Sequence, residues 1–475
     1  MSAGAKPLSA RPTAIEGLFI LDLQLHGDNR GWFKEQWQRA KFRDLDLDAP
    51  GARALKEFEP VQQNISLNAS PGVTRGLHAE PWDKLVSVAH GRVFGAWCDL
   101  REGSATYGQV FTQLIGPDVA VFVPRGVANG FQALEPATAY TYLVNGHWSP
   151  NAAYSAANLA DPALDIQWPL PIAELSQKDI EHPLLVDATP VPHKRTLIIG
   201  ADGQLGRALC AALPDAMAWT RQDWDLRDPL PEMDWTQVGA IILAAAYTAV
   251  DQAEEDRAQC WQVNAEAMSR LAQVANEFQI TLVYVSSEYV FDGSIACHSE
   301  SEPLSPLSVY GQSKAAGELA ARGARRHYIV RSSWVVGDGK NFVRTMRSLA
   351  LRGVAPQVVG DQFGRLTFAE DLAFGILHLI AQQADWGTYH LSNSGDVVSW
   401  AEIAREVFAH CSDNAEAVQE VSSAQYFGQR PHAPRPRHSA LDLSKIAATG
   451  FVPRDWRIGL EQYLRHLDAS EEQEG

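Results

Sequence analysis

Cysteine is scarce in this chain. The 475 residues hold five, Cys98, Cys210, Cys260, Cys297 and Cys411, scattered without a Cys-x-x-Cys pair. That pattern argues against a disulfide frame and against a thiolate zinc site. Basic charge is also short: 40 Lys and Arg against 57 Asp and Glu leave a formal charge of -17. Such a balance argues against gripping a phosphate backbone, so no nucleic-acid partner is expected. No apolar run reaches transmembrane length, and the opening MSAGAKPLSARPTA lacks an apolar signal core. Hence no membrane partner is expected, and the cytoplasm is the expected location. Internal repeats and low-complexity tracts are missing as well. What remains is a chain that is 46% apolar, long enough to bury the cores of two or three domains.

Two patterns meet near residue 190. From about Gly17 to Pro169 short alternating or apolar runs are broken by turn residues, as in KLVSVAHGRVFGAWCDL, VAVFVPRG and ATAYTYLV. They predict an antiparallel β-sandwich or barrel. The proline-bearing LPIAELSQKDIEHPLLVDATPVPHKR reads as tail and linker. From Thr196 the order becomes strand, turn, helix: TLIIG into GQLGRALCAAL, AIILAAA into the amphipathic QAEEDRAQCWQVNAEAMSRLAQVANEF, then TLVYVSS and HYIVRSS. Continuous apolar strands alternating with helices predict a parallel sheet covered on both faces. Short strands (GTYHLS, AVQEVS) and helices between about Gly353 and Tyr463 suggest a smaller substrate-facing lobe. The expected division is a flexible N-terminus 1–16, a β domain 17–185, a linker 186–194, an α/β domain with its lobe 195–468, and an acidic tail 469–475.

The α/β half carries an ordered set of chemical residues. Gly200, Gly203 and Gly206 fall where a strand turns into a helix; glycine there lets the backbone approach a pyrophosphate at the helix N-terminus. After the next strand stand Thr220 and Arg221 rather than an acidic residue. Arginine suits a 2′-phosphate, which favours NADPH over NADH, although Asp223 and Asp225 lie nearby. The small residues of AAAYTAVD, beginning Ala244, Ala245, Ala246 and Tyr247, would let the backbone run beneath a cofactor. Ser286 or Ser287 ends a strand and would hydrogen-bond a carbonyl. Tyr310 and Lys314, four apart on one helix face, form a proton-donating pair in which the ammonium lowers the phenol's pKa.

GADGQLG, AAAYTAVDQAE, VSSEYVFDG, VYGQSKAAGE, RSSWVVG, VVGDQFGRLT and GTYHLSNSG, in this order across Arg195 to Leu464, resemble the dTDP-4-dehydrorhamnose reductases, members of the extended short-chain dehydrogenase/reductases. The resemblance implies Ser287, Tyr310 and Lys314 as catalytic residues. It implies a cofactor surface of Gly200, Gly203, Gln204, Leu205, Gly206, Arg221, Asp225, Leu226 and Ala244 to Tyr247. Glu288, Tyr289, Trp334, Asn341, Gln362, Thr367 and Arg435 would face the sugar nucleotide. Ser287-Glu288 replaces the family's usual Thr-Asp, and Leu366 stands where a proline is usual.

In the β half, VTRGLHAEPWDKLV places Arg75, His78 and Lys84 on paired strands. A histidine suits proton removal next to a ketone, and cations beside it suit a diphosphate or an enolate. GDNRGWFKE, QQNISLN, RGLH, KLVSVAHGRV, VPRGVANGF and LSQKD, within Gly17 to Leu185, resemble the cupin-fold dTDP-4-dehydrorhamnose 3,5-epimerases. By that resemblance His78 is the base, Asp179 orients it, and Tyr142 is the acid on the opposite face. Arg30, Phe33, Glu35, Gln62, Asn64, Arg75 and Lys84 would bind the nucleotide sugar. Asn129 and Gly95 depart from the family's usual His and Asp. With Asn129 at the second metal-type position too few ligands remain beyond His78 and Glu80, so no metal is expected in this half.

The expected fold is therefore multidomain, an N-terminal all-β cupin jelly roll plus a C-terminal α/β Rossmann fold with a small substrate lobe. The expected function is 3,5-epimerisation and NADPH-dependent C4 reduction of a dTDP-linked 4-keto-6-deoxy sugar. A homodimer is expected, and a Mg2+ ion between reductase subunits is left open. Three alternatives stand beside it: a degenerate cupin scaffold, UDP-sugar substrates, and a non-catalytic regulatory Rossmann subunit.

Overall fold

The computed structural model describes residues 8–148, 152–412 and 414–474. The chain divides into two compact units, one ending at His193 and one beginning at Lys194.

In the first unit, period-two alternation builds two antiparallel sheets. The six-stranded sheet runs in the order Ser9–Pro12, Phe19–Asp22, Val119–Val123, Lys84–His90, Thr138–Val144, Gln62–Asn68. The five-stranded sheet runs Ser155–Ala157, Thr74–Ala79, Val127–Ala133, Val93–Asp99, Val110–Ile115. Val86, Val88 and Tyr140 from the first meet Trp97 and Phe131 from the second in one buried cluster, the packing expected of a cupin-type sandwich. Each fully buried large apolar side chain there contributes about 1.5–3 kcal/mol. A separate hairpin, Leu25–Asp28 with Gly31–Lys34, joins neither sheet. Lys34 ties it down by donating to Ser87 Oγ at 2.5 Å, the Val88 carbonyl at 2.8 Å and the Pro117 carbonyl at 3.0 Å. Burial lowers that ammonium to about 8, with the Asp118 charge opposing the fall.

In the second unit the main sheet has six strands, all parallel, in the order Met217–Trp219, Arg195–Ile199, Val238–Leu243, Thr281–Ser287, His327–Ser332, Gly387–His390. Alternate residues feed opposite faces. Leu197, Ile241 and Leu282 pack under Met268 and Leu271, whereas Ile198, Ile242 and Val283 pack under Leu205, Leu209 and Ile376. Both faces are thus covered, as the continuous apolar strands require. A further core of Val343, Met346, Ile403, Val407 and Trp456 forms the lobe.

The structure differs from the sequence reading in five places. Ser9–Pro12, placed in a flexible N-terminus, is an edge strand on Phe19–Asp22. The linker packs on the first unit: Val191 is 1% exposed and donates its N–H to the Leu100 carbonyl at 2.7 Å. The acidic tail continues the last helix, Trp456–Glu474, because Ala, Glu and Gln are strong helix formers. GTYHLS belongs to the main sheet, with Tyr389 and His390 buried on opposite faces. Finally, the long amphipathic helix is interrupted by a π-helical turn, Gln262–Glu266.

Candidate active sites

The helix Val309–Ala321 starts at Ser308, whose hydroxyl accepts the Gly311 N–H at 3.2 Å. This cap sets Tyr310 in the first turn and Lys314 one turn on, 8% and 2% exposed. Ser287 closes the Thr281–Ser287 strand facing them. Its hydroxyl donates to Glu288 Oε2 at 2.7 Å and lies close enough to the Tyr310 phenol to oppose its rise in pKa. Ser286 points elsewhere, donating to Glu318 Oε1 at 2.7 Å, and Glu318 is in turn paired with Arg331 at 2.8 Å. Of the two serines, only Ser287 faces the tyrosine.

The expected tuning of Tyr310 by Lys314 is not what the side chains show. The Lys314 ammonium donates to the Val285 carbonyl at 2.6 Å and lies 4.2 Å from the Tyr284 ring centre. Burial first, then the Glu288 charge, raise the Tyr310 phenol above its ordinary value. The same burial lowers Lys314 to about 7, with Glu318 holding it up. Both groups sit in a dry site that strengthens every charge brought into it.

Asn264 is a residue that sequence reasoning missed. It lies in the π-helical turn, 1% exposed. Its Oδ1 accepts the Tyr247 N–H at 2.9 Å, while its Nδ2 donates to the Tyr247 carbonyl at 3.2 Å and to Ser313 Oγ at 2.9 Å. One amide thus ties the AAAY loop to the catalytic helix. Helix and turn approach so closely that a Cβ on Gly317 would collide with the Tyr284 hydroxyl and the Asn264 carbonyl. A single π turn at such a position is a common mark of function. Its signal was the Asn amid apolar spacing, which reads simply as an exposed helix face.

The glycine turn fits a dinucleotide. Gly200 has φ +91 and a Cβ on Gly206 would strike the Gly200 carbonyl, so neither tolerates a side chain. Gly203 starts the helix Gln204–Ala212 without any side-chain cap, leaving first-turn amides such as that of Leu205 for an anion. The Gln204 side chain instead accepts the Gly337 N–H at 2.7 Å. Ala244 and Ala245 donate to the Ile199 carbonyl, each at 2.9 Å. Arg221 is 69% exposed and paired with Asp225 at 3.1 Å, and Arg227, another residue missed, shares that carboxylate at 2.6 Å. Leu226 is buried in the core beside them.

Around the sugar position, Tyr289 meets Tyr310 edge-on at 5.4 Å. Arg435 reaches Tyr289 and is paired with Asp251 at 2.9 Å. Gln362 and Arg435 line one cavity of about 400 Å³. The lobe positions are more committed to structure. Asn341 caps the helix Phe342–Leu351 and donates to the Gly337 carbonyl and Tyr463 Oη, both at 2.8 Å. Thr367 is fully buried and donates its N–H to the Trp334 carbonyl at 3.1 Å. Trp334 itself is held at φ +45 and stacks on Trp400 at 3.8 Å. A tryptophan in the left-handed region is strained and is held there by its surroundings.

In the first unit, His78 lies on Thr74–Ala79 and Tyr142 on Thr138–Val144, so the two come from different sheets. His78 Nε2 is 2.8 Å from Asp179 Oδ1. The Asp179 backbone N–H donates to the Ser176 cap at 3.1 Å, and its carboxylate accepts the Gly76 N–H at 3.2 Å and a bond from the Ser176 side chain. The His78 interaction and these bonds outweigh burial and keep it below the ordinary carboxylate range. An ionised Asp179 accepts a hydrogen bond from the His78 Nε2–H, leaving Nδ1 of His78 as the basic nitrogen. Burial lowers His78 to about 4, so it is neutral at pH 7 and ready to accept a proton.

His182 was missed too. It is 8% exposed, packs edge-on to His78 at 4.7 Å and reaches Asp179 at 3.7 Å. Its place at the end of the Gln177–Ile180 helix could be found only in three dimensions. Donor atoms of His78, Asp179 and His182 lie within 4.8 Å of one another, close enough for a metal ion. Such an ion would take the lone pair the base needs, and the cluster gives no support to a Mg2+ ion at the reductase.

Lys84, 4% exposed, is paired with Glu80 and lies 5.9 Å from the Tyr142 ring. Burial lowers it to about 7. Gln62 and Asn64 are joined at 2.9 Å on the strand beside Tyr142, and Arg75 reaches Asn68 at 3.4 Å. Arg30, Phe33 and Glu35 form no hydrogen bond, ion pair or ring contact with His78 or Tyr142. Arg30 is tied to Asp28, Glu35 to Lys41 at 2.7 Å, and Phe33 is 68% exposed. Both departures have a local reason. Asn129 stands opposite His78 and accepts the Tyr140 hydroxyl at 3.0 Å. A Cβ on Gly95 would run into the Trp97 indole, which fills the core.

A parallel sheet with a glycine turn and a buried Tyr–Lys helix defines a Rossmann-type oxidoreductase unit, here preceded by a cupin-type unit with a His–Asp pair. Residues 194–469 match the family model described as RmlD substrate binding domain, and residues 12–187 match that of dTDP-4-dehydrorhamnose 3,5-epimerase. The chain belongs to both families, a fusion of an RmlC-like epimerase unit and an RmlD-like reductase unit. A "Protein RmlC homolog" of Streptococcus pyogenes serotype M6 is 47% identical over 194 residues, covering 40% of this chain and 95% of that protein. A dTDP-4-dehydrorhamnose reductase of Mycobacterium tuberculosis is 38% identical over 285 residues, covering 57% of this chain and 92% of its own. The crystal structure of dTDP-4-dehydrorhamnose reductase from Bacillus anthracis with NADP is similar at TM-score 0.52 and 33% identity, covering 58% of this chain and 99% of that one.

Proposed function

We propose that the chain performs two consecutive steps on one sugar nucleotide. The first unit epimerises dTDP-4-dehydro-6-deoxy-D-glucose at C3 and C5, and the second reduces the C4 ketone of the product with NADPH. The observation that carries this is the pairing, in one chain, of a neutral His78 held by Asp179 at 2.8 Å with a buried Ser287–Tyr310–Lys314 set. His78 Nδ1 removes the proton next to the ketone. Lys84 and Arg75 stabilise the enolate and the diphosphate, and Tyr142 reprotonates from the facing sheet. In the second unit Ser287 and Tyr310 hold the C4 oxygen. Tyr310 protonates the alkoxide, and Lys314 steadies the cofactor ribose. The bound dihydronicotinamide supplies the hydride. NADPH is supported by NADP in the Bacillus anthracis relative and by the adjoining Arg221 and Arg227. The dTDP group is supported by the substrates named for the relatives. Fusion raises the local concentration of the unstable intermediate.

The test omits NADPH and places the whole chain with the ketosugar in deuterated water. Deuterium at C3 and C5 is expected. If none enters, while the chain still oxidises NADPH when a separate epimerase is added, the first unit is a scaffold. Competition between the dTDP- and UDP-linked ketosugars reports the nucleotide.

A further inference from the structure

We propose that Glu288 is a positioning residue of the reductase site: in its neutral form it donates to Ser287, freeing the single Ser287 hydroxyl proton for the C4 oxygen. The inference rests on the reductase reading given above. A serine hydroxyl has one proton to donate. With Glu288 ionised, that proton is engaged at 2.7 Å with Glu288 Oε2, and the Ser287 oxygen already accepts the Tyr289 N–H at 3.2 Å. A carbonyl arriving at Tyr310 would then find Ser287 offering lone pairs, which repel it. A protonated carboxyl reverses the bond, and Ser287 donates onward.

The surroundings favour the neutral form. Glu288 is 2% exposed, and among the described residues no Lys, Arg or His forms an ion pair with it. Ser287, Ser439 and its own backbone N–H hydrogen-bond to it and oppose the effect of burial without overcoming it. Tyr289 stands on the same turn, and Tyr310 approaches from the helix that carries Lys314. Arg435, which reaches Tyr289 on that turn, is engaged by Asp251. Burial therefore dominates and raises the carboxyl to about 7. The switch thus falls in the working range, where ionisation captures the serine.

The experiment is NADPH oxidation by the whole chain from pH 6 to pH 9, with ketosugar and excess separate epimerase so that reduction limits the rate. Wild type is expected to lose about tenfold or more from the low to the high end, as a required acid ionises. Glu288→Gln donates at every pH and is expected to flatten that ratio below about twofold, whatever its absolute rate. Ser287→Ala has no hydroxyl to capture, so its residual rate is expected to be flat as well, which covers a Gln variant that fails to fold. A limb that survives unchanged in Glu288→Gln belongs to Lys314 and overturns the proposal, as does a flat wild-type profile. No ketosugar-dependent oxidation at any pH would be a different failure, that of the reductase reading itself.

Discussion

One added methyl group tests the epimerase dyad. A Cβ at Gly76 would lie 2.7 Å from the Asp179 carboxyl carbon and 2.8 Å from Oδ1, about 0.7 Å short of the closest ordinary contact of 3.4 Å. Gly76→Ala therefore forces Asp179 back. That retreat breaks its 3.2 Å bond from the Gly76 N–H and stretches its 2.8 Å contact with His78. A hydrogen bond to a charged group contributes about 1.5–3 kcal/mol, so proton abstraction should slow about 10- to 100-fold. Deuterium entry at C3 and C5, measured without NADPH, reads that step alone. Reduction in the presence of a separate epimerase should stay at the wild-type rate, showing that the chain is folded. An exchange rate within about threefold of wild type would refute the claim that Asp179 works through its fixed distance to His78.

Other substitutions probe the remaining supports. Asn264→Ala leaves the Tyr247 N–H and carbonyl without their side-chain partner, while Ser313 keeps the Tyr310 carbonyl; it should cost about 1–3 kcal/mol per orphaned group and lower both the NADPH affinity and the thermal midpoint. Gly95→Asp, which restores the residue usual in the epimerase family, should destabilise the first unit by about 1–3 kcal/mol through its clash with Trp97; urea unfolding followed by tryptophan fluorescence would detect it. Arg221→Ala should raise KM for NADPH about tenfold or more and leave NADH unaffected, since only the 2′-phosphate loses a charged partner.

The fold was legible because the first half repeats short strand-like runs, whereas the second alternates continuous apolar strands with helices. Leu197, Ile241 and Leu282 alternate with Ile198, Ile242 and Val283 to cover two faces of one sheet. The Tyr310 and Lys314 spacing and the Gly200 to Gly206 turn are local signals, and the structure places them where a strand or a cap requires. GTYHLS was misplaced because a four-residue strand carries no record of which sheet it joins. His182 and Arg227 were invisible for a similar reason, since their proximity to His78 and Arg221 is set by chain folding around a shared carboxylate. The pKa of Tyr310 departs from the expectation because spacing shows a cation four residues on but neither the burial nor the Glu288 charge that raise the phenol. Asn264 was hidden by a π turn that sequence period cannot reveal.

The central claim is that two sites in one chain act in sequence, and NADPH consumption with dTDP-4-dehydro-6-deoxy-D-glucose tests it most directly. Wild type should consume NADPH, Tyr310→Phe should not, and His78→Ala should do so only after a separate epimerase is added. Consumption at the wild-type rate by His78→Ala alone, or by Tyr310→Phe, would contradict the account.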